Sequence, residues 1–204
     1  MKKIIHLLYT LTYFISVVPL KAYDFLHGTE YSRIRETEDT DGRYEYYPSS
    51  FLSFPFLRRY IRRNLQGGKG HAVLDIGCGK GLALLFFAGM CFDTVAGIEY
   101  DEKLCSLARE NLKNESKRIQ IYRMDAVDFS MYGYYDTFYL YNPFDETILE
   151  KCIGRILLSL EERPRKLTIF YCNPVYGDLL KEKGFEEDSR FYYKTTVFVY
   201  HGEK

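Results

Sequence analysis

The stretch that most constrains the fold is residues 73–81, VLDIGCGKG. A short apolar run surrounds Asp75 and leads into three glycines at alternate positions, Gly77, Gly79 and Gly81, followed by an apolar stretch of helical length. This pattern predicts a buried strand that turns sharply into a helix. Glycines allow positive φ and let a ligand approach where a Cβ would collide. The helix N-terminus offers free N–H groups and a positive dipole end, so the turn is predicted to bind a ligand.

The spacing of this turn distinguishes between classes of cofactor. The dinucleotide fingerprint is GxGxxG, whereas here the third glycine comes one place earlier and an acid precedes the loop. The Asp75 carboxylate would repel a pyrophosphate and attract an ammonium or sulfonium group. A sulfonium cofactor is therefore favoured, and an NAD-dependent oxidoreductase is the alternative.

Composition limits the domain count and the partners. The 204 residues suit one domain with some additional N-terminal structure. Lys plus Arg equals Asp plus Glu, 28 each, so the balance of charge provides no strong nucleic-acid signature. The five cysteines occur singly, without a CxxC pair or a histidine cluster at zinc-ligand spacing, which predicts free thiols in a reducing, cytoplasmic compartment and no metal site.

The N-terminal segment, residues 1–20, has a charged start and an apolar centre interrupted by polar residues. Its apolar residues fall on one helical stripe, which predicts an amphipathic helix docked on the domain or lying on a membrane surface. A spanning anchor would require about 20 cleaner apolar residues, and remains the alternative. The segment lacks the small residues of a signal-peptide cleavage site.

Residues 21–66 are predicted to form an extension that covers the cofactor and acceptor site. Residues 21–47 have no sustained period and predict an irregular loop, whereas a helix is expected over 55–65 because proline suits a first helical turn. Four arginines of that helix form one face, which is either solvated or a site for acidic partners or lipid headgroups: Arg58, Arg59, Arg62 and Arg63. The GGKG joint at 67–70 is predicted to begin the cofactor-binding domain, 67–204.

Beyond this joint, strand and helix patterns alternate, which predicts an α/β fold with a mostly parallel sheet and helices on both faces. The expected strands are 71–76, 94–100, 118–126, 134–145 and 166–172, and the expected helices are 79–90, 101–114, 145–160 and 175–183. Two further strands, joined near Lys194, end the chain. They predict a seven-stranded sheet with a terminal antiparallel pair.

The VLDIGCGKG stretch resembles motif I of the class I S-adenosylmethionine-dependent methyltransferases. Together with RYEYYPSS, FYLYNPF and FYCNPV it also resembles a group of small bacterial members of that superfamily, over residues 24–200. The N-terminal part and motif I are distantly similar to the non-SET histone-lysine methyltransferases. These resemblances imply a Rossmann-like methyltransferase sandwich, S-adenosylmethionine as cofactor, and methylation of an amine on a protein.

The resemblance implies roles for the polar residues that end the strands, where ligands of open α/β sheets bind. Asp75 and the glycine backbone would hold the methionine part, Glu99 would accept hydrogen bonds from both ribose hydroxyls, and Asp125 beside Ala126 would meet the adenine amino group. Any one of these acids could instead be a turn residue or a helix cap. The candidate cofactor-binding residues are Asp75, Gly77, Cys78, Gly79, Gly81, Glu99, Tyr100, Asp125, Ala126 and Asn142.

The acceptor site is predicted where the fourth strand ends, at Asn142, Pro143 and Phe144. Amino-group methyltransferases carry NPPY or DPPF there, and the Asn or Asp oxygen accepts a hydrogen bond from the target nitrogen. Here the second proline is missing, which argues against adenine or glutamine as the substrate. The alternative is structural: Asn142 would cap the next helix with Pro143 as its first residue, as would Asn173 before Pro174.

The N-terminal extension of methyltransferases commonly builds the acceptor pocket, so the resemblance implies four pocket candidates: Tyr31, Arg43, Tyr44 and Tyr46. Transfer to a nitrogen of a protein or a small molecule is the favoured activity. A membrane-associated protein that binds the cofactor without turnover is the alternative from another functional class.

Overall fold

The computed structural model describes residues 18–33, 51–115, 118–191 and 195–202. Seven strands form one sheet in the order β3-β2-β1-β4-β5-β7-β6, in which β7 is antiparallel to both of its neighbours and all other pairs are parallel. The strands are β1 (Ala72–Ile76), β2 (Thr94–Glu99), β3 (Ile119–Arg123), β4 (Thr137–Tyr141), β5 (Leu167–Cys172), β6 (Glu186–Phe191) and β7 (Thr195–Tyr200). The predicted seven-stranded sheet is confirmed.

Helices flank the sheet on both faces. They are α1 (residues 18–27), α2 (Phe54–Asn64), α3 (Leu82–Ala88), α4 (Glu102–Asn111), α5 (Glu146–Glu162) and α6 (Gly177–Glu182). Helices α2 and α3 pack on one face, and α5 and α6 pack on the other. The extension helix α2 thus shares a core with α3.

Strand position in the sheet follows from composition. All six residues of β5 are buried, because a central strand covered on both faces is apolar throughout. Strand β6, at the edge, begins with exposed acidic residues, and charged side chains of this kind discourage pairing with another chain. Strands β2, β1 and β4 follow one another in the sheet order, so their ends are neighbours.

Several elements differ in extent from the sequence prediction. Residues 21–27 are helical, not irregular, because they continue α1, whose Leu20 packs with Tyr31 and Leu82. Helix α3 starts later than expected, since the glycine turn has positive φ up to Gly81. Strand β4 is shorter than 134–145, since a 3₁₀ turn precedes it and Asn142 has a φ of 43° directly after it.

Most of the predicted N-terminal amphipathic helix, and the candidates Arg43, Tyr44 and Tyr46, lie outside the described residues. Within the ranges that the structure describes, no helix has the length and apolar content needed to cross a membrane. The four arginines of α2 are exposed, and the Arg58 guanidinium lies 5.8 Å from the centre of the Phe86 ring.

Candidate cofactor-binding site

The glycine turn joins β1 to α3 at the carboxyl edge of the sheet. The φ angles of Gly77, Gly79 and Gly81 are 77°, 52° and 84°, in the left-handed region that favours glycine. The backbone N–H groups of Gly77 and Cys78 both donate to the Ile98 carbonyl at 2.9 Å, which attaches the turn to β2. The predicted sharp turn is therefore present, and its backbone conformation requires its glycines.

Close packing also requires a glycine at the start of the turn. A Cβ on Gly77 would lie 2.6 Å from the Cβ of Pro143, which follows the neighbouring strand β4. Since β1 and β4 pair directly, this contact brings the predicted acceptor motif against the predicted cofactor turn. Glycine is thus needed here for both conformation and space.

Glu99, at the end of β2, is held through both carboxylate oxygens, one of which binds the glycine turn. Its Oε2 accepts from the Gly79 N–H at 2.8 Å, and its Oε1 accepts from the Asp101 N–H at 2.9 Å. Burial raises the pKa of Glu99, while these backbone donors act in the opposite direction. A carboxylate has about four acceptor positions, so capacity for further donors remains.

Asp75 is the second carboxyl group of the site. Its side chain is 2% exposed, and burial, followed by the charge of nearby Glu99, raises its pKa well above the ordinary value. Two acids that are 24 positions apart in sequence are therefore neighbours in a buried environment. A bound cation would favour their ionised forms.

The third predicted acid has a visible structural role. Asp125 caps the short 3₁₀ helix that begins at Ala126, accepting from the Val127 N–H at 3.1 Å. The capping alternative for this residue is therefore confirmed as one role. Ala126 is buried, and its carbonyl accepts from the Tyr132 hydroxyl at 2.7 Å.

Two apolar side chains are exposed beside these strand ends. Tyr100, directly after β2, is 50% exposed, and Met124, directly after β3, is 41% exposed. The loops that carry them are joined, because the Met124 N–H donates to the Glu99 carbonyl at 3.0 Å. Tyr100 is among the sequence-predicted residues; Met124 is not, and only its place before Asp125 could have indicated it. The pair provides an apolar surface at the site's edge.

Asn142 is not a helix cap. The N-cap of α5 is Asp145, whose Oδ1 accepts from the Ile148 N–H at 2.9 Å, and the capping interpretation of Asn142 and Pro143 is wrong. The reason is conformation: N-cap residues usually have extended backbone, whereas φ is 43° at Asn142 and 50° at Asn173. The same correction applies at Asn173, since α6 begins only at Gly177.

The Asn142 side chain instead binds a neighbouring strand. Its Oδ1 accepts a hydrogen bond from the Tyr171 hydroxyl of β5 at 3.0 Å. Phe144, two residues later, is 6% exposed and packs in the core beneath α5. Catalytic roles for Asn142, Pro143 and Phe144 stay predictions.

A buried lysine next to the site was missed by sequence reasoning. Lys80 lies between two glycines of the turn, its side chain is fully buried, and its Nζ lies 3.0 Å from Glu30 Oε1. Asn111, at the end of α4, donates from Nδ2 to the Lys80 carbonyl at 3.1 Å. A lysine between two glycines is the only local signal, and its partners are distant in sequence.

The glycine turn also carries a cysteine, Cys78. Cys78 is a free, buried thiol whose pKa is raised well above its ordinary value by burial, then by the nearby carboxyl groups. In the ranges 18–33, 51–115, 118–191 and 195–202, no three or more His, Cys, Asp and Glu side chains are grouped so that they could bind a metal ion. Candidate chemistry therefore centres on Asp75, Glu99 and the turn backbone.

Comparison with known proteins assigns this region to a family. Residues 73–162 match the family model described as "Methyltransferase domain". The chain is similar to the ribosomal protein L11 methyltransferase of Thermotoga neapolitana, with 27% identity over 81 residues, 40% of this chain and 28% of that protein. It is also 28% identical over 82 residues to that of Aquifex aeolicus, again 40% of this chain and 31% of the relative. The chain thus spans about a third or less of these relatives.

Solved structures share the fold at low identity. A putative RNA methyltransferase from Pyrococcus horikoshii superimposes with a TM-score of 0.59 and 16% identity, covering 84% of this chain and 92% of that one. The T. Thermophilus 16S rRNA N2 G1207 methyltransferase, in complex with AdoMet and guanosine, gives a TM-score of 0.58 and 19% identity, covering 83% and 45%. Residues 73–162 therefore match a methyltransferase domain, and the chain shares the fold of these methyltransferase structures.

Proposed function

We propose that the chain transfers the methyl group of S-adenosylmethionine to a nitrogen of a protein or a small molecule. One observation carries the proposal: the two buried carboxyl groups, Asp75 and Glu99, adjoin the glycine turn, and Pro143 packs against the same turn. Buried acids without a neighbouring cation are costly to ionise, so this environment suits a positively charged ligand. The cofactor supplies an electrophilic methyl group on its sulfonium.

Different residues of the site would bind different parts of the cofactor. Asp75 would bind the ammonium of the methionine part, and the N–H groups of the turn would face its carboxylate. Glu99 would accept from the ribose hydroxyls, and its bond to Gly79 keeps the carboxylate in place. Tyr100 would cover the adenine ring, beside the Asp125 loop. Burial, or position at the carboxyl edge of the sheet, supports each of these assignments.

Methyl transfer to nitrogen is an in-line displacement, so the main task of the protein is alignment. Asn142 follows β4, next to β1, and its Oδ1 would accept a hydrogen bond from the target nitrogen. The Tyr171 hydroxyl already donates to that oxygen, which orients the amide and leaves one acceptor position. Its left-handed φ is the kind of backbone strain that concentrates at functional sites.

One structural neighbour supports a nitrogen acceptor, since it is a methyltransferase for N2 of G1207 in 16S rRNA. The relatives in sequence are ribosomal protein L11 methyltransferases. The acceptors of those proteins therefore include both protein and RNA. We favour an amine on a protein or a small molecule for this chain.

Calorimetric titration with adenosylhomocysteine and with NAD tests the cofactor assignment. We expect binding of adenosylhomocysteine and none of NAD. Binding of NAD alone would favour the oxidoreductase alternative and overturn the proposal.

Transfer of label from methyl-labelled cofactor onto cell extract tests turnover and reports the acceptor. The matched variant is Asn142→Ala, which we expect to label the extract at least about tenfold less at saturating cofactor, since it removes the acceptor oxygen. Cofactor binding by the wild type without labelled product would support the non-catalytic alternative.

A peripheral membrane contact is a second proposal, favoured by one observation on α1. Val18, Phe25 and Leu26 are 62%, 88% and 74% exposed and follow helical spacing. We propose that this face and residues 1–20 contact the membrane surface, with the catalytic domain in the cytoplasm. Sedimentation with anionic vesicles should decrease on deletion of residues 1–20 and in Phe25→Ser/Leu26→Ser, and unchanged sedimentation would overturn it.

A further inference from the structure

Lys80 holds a segment of the N-terminal extension against the glycine turn. Residues 24–33, here called the N-terminal strap, start in α1 and continue through a compact loop. The Lys80 Nζ donates to the Arg33 carbonyl at 2.7 Å and pairs with the Glu30 carboxylate at 3.0 Å. Lysine is almost never fully buried unless it is paired, and the side chain of Lys80 has no exposed surface. The strap therefore supplies two partners of this buried ammonium group.

Asn111 forms a second connection between the same two segments. Its Nδ2 donates to the Lys80 carbonyl at 3.1 Å, and its Oδ1 accepts from the Glu30 N–H at 2.9 Å. One side-chain amide thus bridges the backbone of the turn and the backbone of the strap. Tyr31, the next strap residue, is fully buried, and its hydroxyl lies 3.5 Å from the Asn111 carbonyl.

The strap has an internal structure that presents Glu30 to the turn. Asp24 Oδ1 accepts from the Thr29 hydroxyl at 2.7 Å and from the Tyr31 N–H at 2.9 Å, and its Oδ2 accepts from the Ser32 N–H at 2.7 Å. These bonds close the loop around a single carboxylate. Glu30 lies between Thr29 and Tyr31, which both bind this carboxylate.

We propose that Lys80 is a positioning residue that couples docking of the N-terminal strap to binding of the cofactor. The inference rests on the proposed function for the identity of the ligand. Lys80 lies between Gly79, whose N–H donates to Glu99, and Gly81, the N-cap residue of α3. Its backbone conformation is part of the cofactor turn, whereas its side chain belongs to the strap interface. Docking of the strap favours the turn conformation that binds the cofactor. Binding of the cofactor must therefore favour docking of the strap by the same factor.

Hydrogen exchange of the full chain, with and without adenosylhomocysteine, measures this coupling. In the wild type we expect the ligand to slow exchange in peptides that cover residues 24–33. In Lys80→Met we expect the ligand to leave strap exchange unchanged and to bind about tenfold more weakly, within the usual range of coupling between two sites. A purely structural lysine would lower the melting temperature without removing the ligand's effect on the strap.

Two further variants keep the test decisive if Lys80→Met is poorly folded. Glu30→Gln changes the strap and leaves the glycine turn intact, and it should also weaken both effects. Lys113→Met is the matched control. Lys113 lies just beyond α4 and forms an exposed ion pair with Glu110. This variant should behave as the wild type in both measurements.

The outcomes separate the coupling from the proposed function. A wild type that binds adenosylhomocysteine without any change in strap exchange would overturn the coupling alone. Unchanged ligand affinity in both Lys80→Met and Glu30→Gln would overturn it as well. A wild type that does not bind adenosylhomocysteine would overturn the proposed function, and the coupling with it.

Discussion

At the residue scale, Glu99 supports the glycine turn and is the proposed ligand of the cofactor's ribose. Its two oxygens bind the Gly79 and Asp101 N–H groups, so the side chain is already oriented before a ligand arrives. Preorganised, charged acceptors form the stronger hydrogen bonds in proteins. This arrangement makes the carboxylate both a support of the turn and the best candidate for recognising the ribose.

Glu99→Gln should weaken binding of adenosylhomocysteine by roughly 1.5–3 kcal/mol, the scale of hydrogen bonds to a charged group. Isothermal titration calorimetry measures the change. Glu102→Gln is the control, because Glu102 is an exposed residue of the same region that pairs with Arg123, and it should bind as the wild type. Unchanged affinity in Glu99→Gln would remove Glu99 from the site.

The buried acids also predict a pH dependence. The pKa values of Asp75 and Glu99 are raised in the folded protein, from ordinary values of 3.8 and 4.5, mainly because burial disfavours the charged form. The folded state therefore binds these protons more tightly than the unfolded state does. Their contribution to the free energy of unfolding is fully present below the ordinary values and is lost as pH rises through the raised ones.

Asp75→Asn should remove part of this dependence, because an amide has no proton to lose. Without ligand, the variant should gain stability relative to the wild type as pH rises above 3.8, the ordinary pKa of an Asp carboxyl group. It should also bind S-adenosylmethionine more weakly, since the ammonium partner is absent. Urea unfolding at several pH values measures the first effect, and a stability difference that is constant with pH would contradict it.

At the element scale, the strand-to-helix turn depends on Gly77. Gly77→Ala places a Cβ 2.6 Å from Pro143 in a backbone with a φ of 77°, so strain and collision coincide. We expect a loss of about 2 kcal/mol or more of unfolding free energy and loss of cofactor binding. Thermal and urea unfolding, with calorimetry, measure both.

Gly154→Ala provides the matched control on α5. No atom lies within 4 Å of a Cβ at this position, and alanine favours the helix. This variant should gain roughly 0.5–1 kcal/mol and bind the cofactor normally. Equal stability of the two variants would contradict the steric argument at Gly77.

Arg165 joins three elements at the opposite end of the sheet. Its guanidinium donates to the carbonyls of Tyr132, Tyr135, Ser159 and Arg163 and to the Ser159 hydroxyl, at 2.7–3.2 Å. These bonds connect the end of α5 to the loop before β4 and to the start of β5. A single side chain thus joins the end of α5 to the segments that precede β4 and β5.

Arg165→Met should lower the free energy of unfolding by about 2 kcal/mol, because it removes the hydrogen bonds by which this side chain joins the three elements. Cofactor affinity should be unchanged, since the residue lies at the other edge of the sheet. Urea unfolding measures the loss. Arg190→Met, which removes an exposed pair with Glu187 on the edge strand, should leave the unfolding midpoint unchanged; an equal shift in both variants would contradict the role of Arg165.

At the scale of the whole molecule, sheet order assembles the site. Strands β1, β2 and β4 are neighbours although they are separated along the chain, so residues 75, 99 and 142 meet at one edge. The strand-end acids are predictable from sequence because hydrophobic periodicity reveals where strands stop. The parallel order follows from the alternation of strands and helices, and the final antiparallel strand follows from the terminal strand pair.

Conformations that depend on packing were not predictable. A capping pattern in the sequence favoured Asn142 and Asn173 as helix starts, but both adopt left-handed φ and the helices start later. The Asp125 cap illustrates the opposite case, because its capping bond spans two residues and depends on local sequence alone. Sequence patterns therefore predict conformations that depend on adjacent residues, and not conformations that depend on tertiary packing.

The sequence by itself determined the class of fold, the glycine turn and the acids that surround it, because each depends on periodicity or on spacing within a few residues. Only the tertiary structure decided which distant groups meet: Pro143 against Gly77, and Lys80 with Glu30, 50 positions away. Such contacts depend on which strands become neighbours in the sheet and on which buried charge needs a partner, and no local pattern encodes that choice.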